Sequence, residues 1–109
     1  MTVAQLCEKL KLEPLALPCP DREVIGAYAG DLLSWVMGRA KADCIWATIM
    51  NNMNVLAVAS LADVAVTVIC EGCEVAEELI GAAKEKGVNL IRTDMPIYEL
   101  CVAVSEVLR

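Results

Sequence analysis

A chain of 109 residues, 58% of them hydrophobic, carries enough apolar side chain to bury a core without disulfide or metal staples. Its formal net charge is −6, with no histidine and only nine scattered Lys and Arg, so there is no basic patch for nucleic acid or an anionic membrane surface. Residues 1–11 lack the basic-then-apolar start of a secretory leader, and the most apolar stretch, residues 53–70, is interrupted by Asn54, Ser60, Asp63 and Thr67. A cytoplasmic protein without a membrane span is therefore expected, its six cysteines reduced.

Thr2 followed by Gln5 has the form of a capping box, and Val3, Leu6, Cys7 and Leu10 share one face of the short helix it would start. Residues 12–21 (LEPLALPCPD) place Pro14, Pro18 and Pro20 in quick succession, which forbids a helix interior and predicts an extended connector with at most a short edge strand. From Arg22 onward strand, polar turn and helix alternate. Residues 23–29 form a modest strand ending at Gly30-Asp31, where Asp31 is placed to cap a helix running to Ala40. Residues 44–50 (CIWATIM) form an apolar strand ending at Asn51-Asn52, and residues 53–62 a helix. Residues 64–70 (VAVTVIC) are continuously apolar and rich in β-branched side chains, as in a strand covered on both faces. After Glu71-Gly72 a helix is predicted over residues 74–86, with acids in its first turn, lysines in its last and Gly87 as its stop. Residues 90–92 make a short strand. Thr93-Asp94 would cap a final helix from near Pro96, with Ile97, Leu100, Cys101, Val104 and Leu108 as its inward stripe.

Such alternation implies β-α-β crossovers, and hence a three-layer α/β/α sandwich on a largely parallel sheet of four to five strands. The expected organisation is one domain: residues 1–20 as N-terminal helix and Pro-rich connector, residues 21–109 as the repeated core.

Cys70 and Cys73 form a C-x-x-C at a strand-to-helix junction, where a redox pair or half of a metal site could lie. The charge around it has the wrong sign for a thiolate: Glu71 sits inside the motif, and Glu74, Glu77 and Glu78 follow it. A closed metal site would need two more cysteines from far away, and Cys7, Cys44 and Cys101 all fall at inward-facing positions, leaving Cys19 in the loose connector. A structural role is the expectation, with no metal and no cofactor; a small redox or metal carrier is the alternative.

The succession Asp21-Arg22, Gly26, Gly30-Asp31-Leu32-Leu33-Ser34, the strand around residues 45–49, Asn54-Val55-Leu56-Ala57-Val58-Ala59 and Glu71-Gly72 resembles the DRTGG domain, a module related to the N-terminal domain of HPr kinase/phosphorylase. The resemblance covers about four-fifths of the chain, from Asp21 to near Leu108. It implies a non-catalytic regulatory or assembly module, accessory to a metabolic enzyme or kinase, that senses a ligand or binds a partner through dimerisation. Adenine nucleotides are an alternative ligand class carried by the same resemblance. This sequence departs from the pattern at Asn51-Asn52, where many relatives carry histidine, and at Cys73, where relatives carry a basic or polar residue.

In an open α/β sheet, ligands favour the carboxyl ends of the strands. The residues expected there are Gly30, Asp31, Thr48, Asn51, Asn54, Glu71, Gly72 and Thr93. Their ordinary roles as caps and turn formers compete with ligand binding. No phosphate-binding glycine motif is present, and Arg92 is the one cation adjacent to the turns. Without histidine no Ser-His or Cys-His arrangement can form, and no catalytic residue is expected. Trp35, Trp46, Met53, Val55 and Leu56 are the candidate anchors of an expected homodimer interface, with a core role as the equal alternative for the two tryptophans and burial on both sides as the alternative for the helix over residues 53–62.

Overall fold

The capping box forms as the spacing predicts. Thr2 Oγ1 accepts from the Gln5 N–H at 3.1 Å and Gln5 Oε1 accepts from the Thr2 N–H at 2.9 Å, which starts α1 (Val3–Leu10). Val3, Leu6 and Cys7 are buried along its inner face, and Lys11, in the left-handed region at φ 54°, ends the helix. The computed structural model describes residues 1–108, so Arg109, the expected end of the core, lies outside the described residues.

The connector contains the short strand β1 (Glu13–Ala16). There follow β2 (Ala27–Ala29), α2 (Leu33–Arg39), β3 (Ile45–Thr48), α3 (Asn54–Ala62), β4 (Val66–Ile69), α4 (Glu77–Lys86), β5 (Leu90–Arg92) and α5 (Ile97–Val107). The sheet has five strands in the order β1-β5-β4-β3-β2, with β1 antiparallel to β5 and all other pairs parallel. The result is the expected α/β/α sandwich.

Alternation along the strands divides the core in two. Trp46 and Ile69 point to the layer of α2, α3 and α4, where they meet Val36, Val55, Leu56, Val58, Leu79 and Ala83. Ile45, Ala47, Val66, Val68 and Ile91 point the other way, onto Val3, Leu6, Leu100 and Val104 of α1 and α5. The three crossover helices thus share one face, because β2 to β5 succeed one another in a single direction across the sheet. The opposite face is covered by the two terminal helices. No reversal of strand order occurs among the crossovers, so no ligand crevice opens between diverging connections.

Four local expectations are corrected. The strand predicted over residues 23–29 shortens to Ala27–Ala29, since Gly26 turns the backbone at φ +128° and Glu23 bridges to Thr2 beside α1. The helix predicted from residue 74 begins at Glu77, because the Asn51 side-chain amide holds the Glu74 carbonyl at 2.8 Å in the preceding turn. Asp31 caps nothing: the N-cap of α2 is Leu32, without a side-chain bond. Pro96, also without a side-chain bond, occupies the N-cap of α5 in place of Thr93-Asp94.

At the amino ends of the strands, Arg22 is the tie. It donates to Asp43 Oδ1 at 3.0–3.1 Å, to Asp63 Oδ1 at 2.8 Å and to the Asp63 carbonyl at 2.6 Å. Both aspartates sit at positive φ, so the guanidinium fixes two left-handed loops entering β3 and β4. Asn89 does the same for the connector, bonding the N–H and C=O of Cys19 and the carbonyl of Ala65.

Candidate functional site

The carboxyl ends of β2 and β3 are joined through Asp31. Its Oδ1 accepts from the Thr48 hydroxyl at 2.7 Å and from the Ile49 N–H at 2.9 Å, and Thr48 Oγ1 in turn accepts from the Met50 N–H at 3.1 Å. Thr48 is wholly buried. Nearby, the Trp46 indole N–H donates to the Gly30 carbonyl at 2.9 Å, which anchors the turn that presents Asp31. Gly30, Asp31 and Thr48 are therefore brought together as expected, in a network that satisfies its own hydrogen bonds.

Asn51 and Asn54 lie at the next turn with different tasks. Asn51 bonds the Glu74 carbonyl, and the Asn54 N–H is capped by Asn52 Oδ1 at 3.0 Å. At the end of β4, Glu71 and Gly72 both adopt positive φ, 64° and 68°. This left-handed pair lets the Glu71 N–H reach the Met95 carbonyl and the Gly72 N–H the Thr93 carbonyl, stitching the β4 and β5 ends together. Glu71 Oε2 accepts from the Ile97 N–H at 3.3 Å, so the first turn of α5 is served by a carboxylate from another loop. Nothing in the local pattern near Pro96 signals that arrangement.

Arg92 completes the edge. Its Nε donates to the Cys73 carbonyl at 2.8 Å and its Nη2 to the Gly72 carbonyl at 2.7 Å, which locks the guanidinium in place. Nη1 reaches Glu13 and Asp94 at 3.8 and 3.6 Å, beyond hydrogen-bond range. It borders a cavity of about 450 Å³ lined by Leu10, Lys11, Glu13, Arg92, Thr93, Asp94 and Met95. Of the expected ligand residues only Thr93 lines it. Leu10, Lys11 and Glu13 were missed because the chain brings them there only through α1 and the antiparallel β1.

The cysteines divide between the two cores. Cys70 is fully buried in the core under α1 and α5, and burial pushes its thiol up to about 12. Cys73 packs against the core on the other face. The C-x-x-C therefore presents its two sulfurs to opposite layers, a poor arrangement for a chelate or a disulfide. Among the described residues no group of three or more His, Cys, Asp or Glu converges to hold a metal ion. Among the described residues no helix is long and apolar enough to cross a membrane.

Of the expected interface residues, Trp46, Val55 and Leu56 have no exposed surface and belong to the core. Val55 and Leu56 lie on the inner side of α3, and Trp46 fills the space between the sheet and its helices. Trp35 and Met53 remain outside, about half exposed.

No protein-family model matches the sequence, and no curated protein matches it either. Among solved structures, the chain is similar to the CBS and DRTGG domains of the regulatory region of Clostridium perfringens pyrophosphatase, complexed with its activator, diadenosine tetraphosphate. The TM-score is 0.70 at 12% identity, over 98% of this chain and 46% of that one. This chain thus spans less than half of the neighbour's length, and at that identity the likeness establishes a related α/β fold.

Proposed function

We propose that this protein is a non-catalytic regulatory module that senses a nucleotide-sized ligand at the carboxyl edge of its sheet and acts on a partner enzyme as a homodimer. The observation that carries the reading is the state of that edge. Asp31, Thr48, Asn51 and Glu71 are spent on holding turns together, whereas a fixed guanidinium borders an open cavity beside Lys11. A groove of about 450 Å³ falls within the range that small-molecule sites occupy. The fold it shares with a pyrophosphatase regulatory region that binds a dinucleoside polyphosphate supports adenine nucleotides as the ligand class.

Two cations and two carboxylates line the cavity, so a polyphosphate would be accompanied by a divalent cation that offsets Glu13 and Asp94. The test is a thermal-shift titration with AMP, ATP and diadenosine tetraphosphate, each with and without magnesium. A ligand that binds only the folded state raises the melting temperature in proportion to the logarithm of its concentration. No rise with any of these nucleotides would remove the nucleotide-sensing reading.

A further inference from the structure

We propose that the free edge of β2 pairs antiparallel with the same strand of a second copy, joining two sheets across a two-fold axis near Tyr28. This rests on reading the protein as a self-associating module and says which surface does it. In β2 the Gly26 carbonyl accepts from the Ile45 N–H and the Gly30 N–H donates to the Ala47 carbonyl, so the even-numbered residues bond β3. The intervening Ala27 and Ala29 direct their N–H and C=O groups away from the sheet, and both are exposed. With the axis at Tyr28, Ala27 of each copy faces Ala29 of the other as a hydrogen-bonded pair.

The two edges of the sheet are treated differently. β1 carries Glu13, Pro14 and a register shift after Pro14, devices that stop further strands from adding. β2 has none of them: residues 24–30 (VIGAYAG) contain no charge and no proline. Beside it stand Ile25, Leu32 and Trp35, which are 70%, 58% and 53% exposed. Leu32, Trp35 and Arg39 are spaced as one stripe of the helix, and the Arg39 guanidinium lies 3.6 Å over the Trp35 ring.

Charge selects a second copy as the occupant. Arg39 and Lys41, with residues 25–28 and Cys44, line a cavity of about 270 Å³ at the start of β2, while Asp31 stands at its end. Antiparallel pairing sets the cationic start of one strand beside the anionic end of the other, so the edge complements itself despite a net charge of −6. An extended peptide would find too few outward groups on a three-residue strand, whereas a folded copy also brings its own Leu32 and Trp35.

Sedimentation equilibrium of the wild type, Ala29→Lys, Trp35→Glu and the control Tyr98→Glu tests this, with circular dichroism reporting the fold of each. Wild type and Tyr98→Glu, whose side chain is 78% exposed on α5, should sediment at twice 11.7 kDa. Ala29→Lys and Trp35→Glu should weaken the dimer on the order of 100-fold, through like charges or a carboxylate brought into the contact. A wild-type monomer at about 100 μM, a dimer indifferent to both edge variants, or dissociation by Tyr98→Glu alone overturns the proposal. Should Ala29→Lys fail to fold, Trp35→Glu on the outer helix stripe decides. Nucleotide titrations of the same variants keep the two ideas apart: an intact dimer without nucleotide response counts against ligand sensing only.

Discussion

Replacing Asp31 separates a structural carboxylate from one that meets a ligand. Its Oδ1 accepts two short bonds, one from the wholly buried Thr48 hydroxyl and one from the Ile49 N–H. Hydrogen bonds to a charged group contribute about 1.5–3 kcal/mol each when buried, and the exposure of Asp31 itself argues for the lower end or below. Thr48 Oγ1 keeps its bond from the Met50 N–H, so the loss in Asp31→Ala is set at about 2 kcal/mol in total. With an unfolding entropy of about 2.1 cal/mol/K per residue over 109 residues, that corresponds to a fall in Tm of about 9 °C. Asp31→Asn keeps an oxygen acceptor and should lose less than half as much. Calorimetric melting and urea unfolding of both variants measure this, alongside nucleotide titration. An Asp31→Ala protein as stable as wild type but blind to nucleotide would refute the structural assignment and place Asp31 in the ligand site.

Three further outcomes follow from the same geometry. Lys11 sits at a left-handed helix end and lines the β5 cavity, so Lys11→Gly should hold or raise Tm while weakening binding of an anionic nucleotide roughly 5- to 10-fold; unchanged affinity by calorimetry would move the ligand elsewhere. With its thiol pushed up to about 12, Cys70 is roughly one part in 10,000 thiolate at pH 8, so iodoacetamide followed by mass spectrometry should modify the exposed Cys19 and leave Cys70 intact. The folded-state values of Cys70 and Cys7, about 12 and about 11, stand above the ordinary 9.0, so their contribution to stability is complete below pH 9 and is lost as pH rises through 11 and 12; Cys70→Val should flatten this alkaline decline in urea midpoints.

The features legible in the sequence are those decided within a few residues. The capping box at Thr2, the inward stripe of α5 and the β-branched run of β4 each follow from local spacing, and each stands in the structure. The strand-helix alternation was enough for the three-layer sandwich. The corrections concern groups whose partners are distant in the chain. Glu71 serves α5 from across the β4–β5 edge, and Asp31 turns from its own helix to Thr48. Trp46 and Trp35 both stand in apolar sequence, yet Trp46 on β3 points into the layer between sheet and helices while Trp35 lies on the outer side of α2 and meets solvent. The β5 cavity needed the antiparallel placement of β1, which a Pro-rich connector does not announce.

The central claim, a ligand held at the carboxyl edge by a module without chemistry of its own, is tested most directly by titrating ¹⁵N-labelled protein with diadenosine tetraphosphate and magnesium. The account predicts saturable shifts of the Lys11, Glu13, Thr93, Asp94 and Met95 amides, an undisturbed Arg22–Asp43–Asp63 end, and a nucleotide that stays intact. A silent spectrum, shifts confined to the opposite end of the sheet, or hydrolysis of the added nucleotide would contradict it.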